Sequence, residues 1–168
     1  NLFMGTAFQK VAITTVLVLG SFGSWAHAQT LNKCGNGPLM VGQKQVGVAS
    51  YFAQNCNQPW QGQNMQMDFT YTQNIPEWAF KRAATHLLKR NIKDQKIQAV
   101  FNPITDLYRP VNSGDLYQLK YSHATHTLSL YLNQKLQGQL QNPLAQQYFN
   151  IWLGPQPFSA KLKQQLIK

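Results

Sequence analysis

Two periodic patterns dominate the middle of the chain. Residues 65–72 alternate apolar with polar side chains, which predicts a β-strand covered on one face only; the apolar positions are Met65, Met67, Phe69 and Tyr71. The following segment changes to the period of a helix, with an apolar stripe formed by Phe80, Ala83, Ala84, Leu87 and Leu88. Pro76 lies in the predicted first turn and Lys89 and Arg90 in the last, positions where these residue types favour a helix. We therefore expect this helix to cover the strand.

The remaining patterns indicate more strands around a group of helices. Residues 46–53 are apolar or small on both faces, as in a strand buried on both sides. Residues 97–108 have helical spacing, but Pro103 divides them and predicts a two-part helix. Alternation further along predicts a meander of three strands, at residues 117–121, 128–132 and 136–140. This order predicts an α+β fold in which an antiparallel sheet carries helices on one face.

The C-terminal segment, Tyr148 to Ile167, contains a distinctive aromatic run, a bend and a short amphipathic tail. Asn142-Pro143 predicts the start of a helix whose apolar face holds Ala145, Tyr148, Phe149 and Trp152. Gly154 is expected in the left-handed conformation that ends many helices, and two prolines soon after it prevent continuation. Ser159 is then placed to cap a second helix.

The first residues have the layout of a secretory signal peptide. Lys10 precedes an uncharged apolar run from Val11 to Gly20, and a site of small residues ends at Ala28. The alternative is a retained membrane anchor, but the run is shorter than the about 20 residues that a span needs. We expect cleavage after Ala28, residues 29–168 as one mature domain, and a periplasmic or otherwise exported location.

The formal charge of +10 would ordinarily indicate a nucleic-acid partner. Export argues against nucleic acid, and the basic residues are distributed as pairs without one dense run. The charge then indicates either a solvated basic face or weak association with anionic envelope lipid. No phosphate-binding loop or metal-ligand cluster is present, so no cofactor is expected.

The two cysteines, Cys34 and Cys56, fit an exported protein. The midpoint between them falls close to Gly42–Lys44, as it does when two cysteines face each other across an antiparallel pair that turns there. We expect them to form a disulfide; the alternative is two free buried thiols.

Three blocks of this sequence resemble the bacterial chalcone isomerase-like family. They are IWLGPQPFSAKLKQQLI at the C-terminus, MDFTYTQNIPEWAFKRAATHLLKRN (residues 67–91) and LYRPVNSGDLYQLKYS (residues 107–122). The resemblance implies an open-faced β-sandwich with a ligand cleft between the sheet and the helical layer.

The family's catalytic residues do not carry over. Plant chalcone isomerases use an Arg near the first hairpin and a Tyr and Asn at the start of the first helix, which polarise a carbonyl and stabilise an enolate. Here the hairpin holds Lys44, and the helix offers only residues of other types, Trp78, Phe80, Thr85 and His86. His86 is expected to pack partly buried beside the apolar stripe. His123 and His126 have no third ligand nearby and are expected to be exposed loop residues.

These observations favour a noncatalytic protein that binds an apolar or amphipathic, fatty-acid-like small molecule, or an envelope scaffold. The aromatic residues expected to line the cleft are Phe69, Tyr71, Trp78, Tyr117 and Tyr121. Two alternatives remain: an intramolecular lyase of the chalcone isomerase type, and an aromatic stripe that serves only as core. The sequence leaves the oligomeric state open.

Overall fold

The computed structural model describes Gly20 and residues 30–168, in which six antiparallel strands form one sheet in the order of the chain. The strands are β1 (Asn32–Val41), β2 (Lys44–Ala53), β3 (Met65–Tyr71), β4 (Leu116–Ser122), β5 (Thr127–Leu132) and β6 (Lys135–Gln141). The helices are α1 (Glu77–Asn91), α2 (Gln95–Ala99), α3 (Asn102–Thr105), α4 (Asn150–Leu153) and α5 (Ala160–Leu166). The predicted α+β architecture, an open antiparallel sheet with a helical layer, is confirmed. The predicted leader and its cleavage site lie outside the described segment 30–168.

The sheet buries one face against the helices. In β3 the four alternate residues that the pattern made apolar are all buried, whereas the residues between them are half-buried or exposed. The same alternation occurs in β2, so the expectation of a strand buried on both sides was wrong. Small and apolar side chains such as Val48 lie on its open face, only half-buried. Strand β2 therefore has apolar residues on both faces although the helical layer covers only one of them.

Helix α1 forms where the apolar stripe predicted it. Pro76 occupies the N-cap position, Glu77 lies in the first turn, and Lys89 and Arg90 lie in the last turn, where the helix dipole favours cations. The stripe buries Ala84, Leu87 and Leu88 against the core. Helices α2 and α3 follow as the predicted two-part helix, divided at residues 100–101 just before Pro103. Described residues 30–168 include no helix with the length and apolarity of a membrane span.

Two features of the C-terminal segment differ from the prediction: the helix that precedes Gly154 and the backbone conformation of Gly154 itself. A 3₁₀ turn (Ala145–Phe149) precedes α4, in place of one continuous helix. Gly154 is extended, with φ −77° and ψ −178°, so the expected left-handed conformation was wrong. A Cβ at this position would lie 2.6 Å from the Asn150 carbonyl oxygen and 2.7 Å from Asn91 Oδ1. Glycine is needed here because the end of α1 approaches the backbone closely.

Helix α5 begins as predicted, since the Ser159 hydroxyl accepts a hydrogen bond of 3.1 Å from the backbone N–H of Leu162. Its buried residues Leu162 and Leu166 face β1. Glycines at positions 35 and 37 of β1 allow this approach, because a Cβ on either would collide with Gln165 of the helix. The C-terminal helix thereby covers the edge of the sheet at β1.

Cys34 of β1 and Cys56 in the loop after β2 are bonded, which confirms the predicted disulfide. The bond closes a loop with a sequence separation of 22 residues. Because such a link restricts the unfolded chain, replacing both cysteines by serine is expected to lower the free energy of unfolding by about 3 kcal/mol. Urea unfolding of the two proteins measures the difference. An equal stability would show that the bond contributes nothing in solution.

Candidate functional site

A cavity of about 160 Å³ lies between the sheet and α1. The sheet contributes one wall through the inner-face residues Phe69, Tyr71, Tyr117, Leu119 and Leu130. Helix α1 contributes the opposite wall through Ala79, Phe80, Ala83, Ala84 and Leu87. Space remains between these walls because the alanines of α1 are short where they face large rings. The cavity therefore exists because the apolar stripe of α1, which the sequence predicted, contains small residues.

Four aromatic rings form one end of the cavity. Phe80 stacks on Tyr108 with ring centroids 5.4 Å apart, and Tyr117 presents its edge to both rings. Tyr71 meets Phe80 and Tyr117 edge-on. Edge-to-face contacts of this kind fix ring orientation and add stability beyond burial alone. The cluster therefore forms a closely packed, predominantly apolar part of the wall.

The tyrosine hydroxyls near the cavity stay neutral. The Tyr117 hydroxyl donates to the Arg109 carbonyl and accepts from its N–H, both at 2.8 Å. The hydroxyls of Tyr108 and Tyr148 lie 2.8 Å apart. Burial raises the pKa of Tyr71, Tyr108 and Tyr148 well above the ordinary range, because the phenolate would lose its hydration. The cavity wall consequently carries no tyrosinate charge.

The mouth of the cavity lies between the β1–β2 hairpin and α1. Val41 lines the cavity although 60% of its surface is exposed, and Ala83 on the facing helix is also exposed. Val41 pairs with Lys44 across the hairpin. Lys44, which is exposed, is therefore a charged residue beside the mouth on the hairpin side.

Trp152 of α4 is half-buried and lines another part of the cavity. Its ring centroid lies 4.7 Å from that of Phe69 and 5.9 Å from that of Tyr148. Ile151 and Phe158 line the same region. The C-terminal segment singled out in the sequence therefore contributes directly to the cavity, a role that its helical spacing alone did not indicate.

The structure brings together three of the five aromatic residues predicted to line a cleft, namely Phe69, Tyr71 and Tyr117. Trp78 does not line the cavity, since 64% of its surface is exposed. At 100° per residue it lies about half a turn away from Phe80, on the outer face of α1. Tyr121 is buried on the inner face of the sheet, but it pairs with Met65 at the far end of β3.

The three histidines discussed in the sequence analysis, His86, His123 and His126, do not line the cavity. The Tyr121 hydroxyl lies 3.2 Å from Nδ1 of both His123 and His126. His123 is exposed, as expected. His126 is half-buried beside the Tyr121 hydroxyl, so the expected exposure of this histidine was wrong. His86 is exposed, so its predicted packing role was wrong; Leu87 and Leu88 occupy the buried face instead. Within residues 30–168 and Gly20, no cluster of three or more His, Cys, Asp or Glu could hold a metal ion.

Arginine lies beside the cavity wall but not in it. Arg109 lines a separate polar hollow of about 560 Å³, together with Glu77, Asp106 and Gln137. The residues that line the apolar cavity include no Lys, Arg, Asp, Glu or His. Sequence reasoning missed both Arg109 and the role of Ala79; the row of alanines on α1 was the available signal for the cavity. Among the residues that the structure describes, no cation lines the apolar cavity to polarise a bound carbonyl.

Comparison with known proteins places this geometry in context. A family model described as chalcone isomerase-like matches residues 49–168. No curated protein matches the chain. A crystal structure of an Arabidopsis thaliana fatty-acid binding protein superposes with a TM-score of 0.58 at 15% identity, covering 82% of this chain and 86% of that one. At this identity the similarity shows a shared fold.

Proposed function

Because the chain belongs to the chalcone isomerase-like family, whose model matches residues 49–168, we propose that it is an exported, noncatalytic protein that binds an apolar or amphipathic small molecule. A fatty acid is the ligand class that fits best. The ligand's apolar end lies in the cavity between the sheet and α1. The observation that carries this proposal is the composition of the cavity wall, which is apolar apart from three neutral tyrosines.

The size of the cavity sets how much of the ligand it holds. A dry apolar cavity of about 150 Å³ is large enough for benzene, so this one accommodates a ring or a short stretch of acyl chain. Each buried methylene contributes about 0.8 kcal/mol. A longer chain would extend through the mouth beside Val41 and Ala83.

The apolar character of the cavity wall also determines where a polar head group lies. An ionised carboxylate inside the cavity would be desolvated without a cation, at a cost of several kcal/mol. At the mouth it stays in water, and exposed Lys44 is close to Val41 across the hairpin. We therefore assign the acyl chain to the cavity and the head group to the mouth.

Two observations support the proposal from outside the cavity. The structurally similar Arabidopsis protein is described as a fatty-acid binding protein. The Cys34–Cys56 disulfide is typical of an oxidising, exported compartment, in agreement with the leader-like residues 1–28.

An intramolecular lyase of the chalcone isomerase type is the second candidate. It requires a cation and a hydroxyl aimed at the bound substrate. Arg109 and Tyr108 do meet in the polar hollow, but the Arg109 side chain is not among the groups lining the apolar cavity. The geometry favours binding over ring closure.

A paired experiment tests the proposal. Mass spectrometry of small molecules extracted from the purified protein is expected to show fatty acids or similar amphiphiles. Chalcone absorbance followed over time is expected to decay at the uncatalysed rate. Ring closure above that rate would replace the proposal with the lyase; a protein that neither carries nor takes up an amphiphile would favour the envelope scaffold.

A further inference from the structure

The outer face of α1, opposite the cavity, carries an exposed tryptophan in line with cations. Trp78, Arg82, Thr85 and Lys89 follow one another at spacings of four, three and four residues, so they form one stripe along the helix. All four are exposed, and Trp78 has the highest exposed fraction among the large apolar side chains that are exposed in the described residues. An exposed indole next to cations is a feature that the cavity does not explain.

This surface is strongly basic. Residues 77–96 contain six Lys or Arg residues and two acidic residues. Glu77 pairs with Lys81 at 3.3 Å, and Asp94 caps α2 by accepting from the N–H of Lys96. Neither carboxylate forms an ion pair with Arg82 or Lys89 in the described structure. In the described residues the Arg82 and Lys89 side chains are therefore not neutralised by an ion pair.

The stripe lies next to the mouth of the cavity. Ala79 and Ala83, each one residue after a member of the stripe, line the cavity on the flank of the same helix. Across the mouth, Val41 is 60% exposed. Cations, an indole and an apolar opening thus occupy adjoining faces.

We propose that the outer face of α1 docks on an anionic lipid bilayer. Indole rings favour the head-group region, since one part is apolar and the N–H remains hydrated. Arg82 and Lys89 bind lipid phosphates, and Trp78 inserts at the level of the head groups. Docking brings the cavity mouth beside the membrane. A nucleic acid could bind the cations through its phosphates but would leave the apolar opening at Val41 exposed. A lipid surface can contact the cations, the indole and the opening together.

Vesicle flotation tests the proposal with the full chain, so that every variant carries the same first 28 residues. Vesicles of phosphatidylcholine alone are compared with vesicles that contain phosphatidylglycerol, at low and high salt. Arg82→Gln/Lys89→Gln is expected to weaken binding to the anionic vesicles about 25-fold, at roughly five-fold per cation. Trp78→Ser is expected to weaken it several-fold at both salt concentrations.

The matched control is Lys161→Gln/Lys168→Gln, which removes two exposed cations from the region of α5. At about 0.15 M salt, where the Debye length is about 8 Å, it is expected to reduce binding less than about three-fold, because these two cations do not lie on the outer face of α1. Equal losses in the two double variants would overturn the proposal, as would tighter binding to a duplex oligonucleotide than to anionic vesicles. The variants retain the cavity, so the two proposals fail separately. Fatty-acid binding without vesicle docking refutes only the membrane-docking proposal. Docking without fatty-acid binding refutes only the proposed function.

Discussion

Replacing Ala83 by Phe is expected to lower the affinity for a fatty acid at least ten-fold. Ala83 is exposed at the mouth of the cavity, so a phenyl ring there obstructs entry and covers apolar surface that the ligand would bury. Loss of about 60 Å² of such burial, at about 25 cal/mol per Å², corresponds to about 1.5 kcal/mol, or roughly one order of magnitude in affinity. Displacement of a fluorescent fatty acid measures the change.

Thr85→Phe is the matched control, since it adds the same ring to an exposed position of the same helix that does not line the cavity. Its affinity is expected to equal that of the unmodified protein. Thermal unfolding of both variants checks that the fold is retained. Equal affinities of Ala83→Phe and Thr85→Phe would show that the ligand does not use this cavity.

Replacing Trp152 by Ala is expected to lower the free energy of unfolding by about 3 kcal/mol. The indole packs against Phe69, Tyr148 and Phe149, with centroid distances of 4.7, 5.9 and 6.5 Å. Its removal joins new empty volume to the existing cavity, which the surrounding strands cannot fill. Denaturant unfolding gives the difference directly.

The control for Trp152→Ala is Trp78→Ala, which removes the same side chain from an exposed site. A change of less than about 0.5 kcal/mol is expected there, as for most surface substitutions. A loss below about 1 kcal/mol at Trp152 would show that the ring contributes little to the packing of the core and would remove its assigned role in the wall of the cavity.

Much of the fold followed from periodicity. The strand at residues 65–72, the helix after Pro76 and the three-strand meander were predicted because each buries one face, and a half-buried element leaves its period in the sequence. The resemblance to the chalcone isomerase-like family supplied the arrangement of these elements, which periodicity does not contain. The match over residues 49–168 confirmed that assignment.

The errors arose where contacts between distant segments decide the conformation. Gly154 resembled a helix-ending glycine, but the carboxamide of Asn91 occupies the space that a Cβ would need. The same side chain donates to the Gln156 carbonyl at 2.8 Å and accepts from its N–H at 2.9 Å. No local pattern reveals that the end of α1 holds this bend.

The candidate site was predictable only in part. Phe69, Tyr71 and Tyr117 share the inner face of adjacent strands, so alternation placed them together. Trp78 was assigned to the cleft because it is aromatic and near the start of α1, whereas its angular position puts it outside. The cavity itself forms where small residues face large rings. The sequence shows that Ala79 and Ala83 are small, but it does not show which rings they face.

Titration with saturated fatty acids of increasing chain length, followed by calorimetry, tests the central claim most directly. If the acyl chain enters the cavity, each added methylene strengthens binding about four-fold until the cavity is filled, at about 0.8 kcal/mol per group. Beyond that length the affinity levels off, because further carbons remain at the mouth between Val41 and Ala83. Binding that does not change with chain length, or no binding at any length, would contradict the assignment of this cavity as a ligand site.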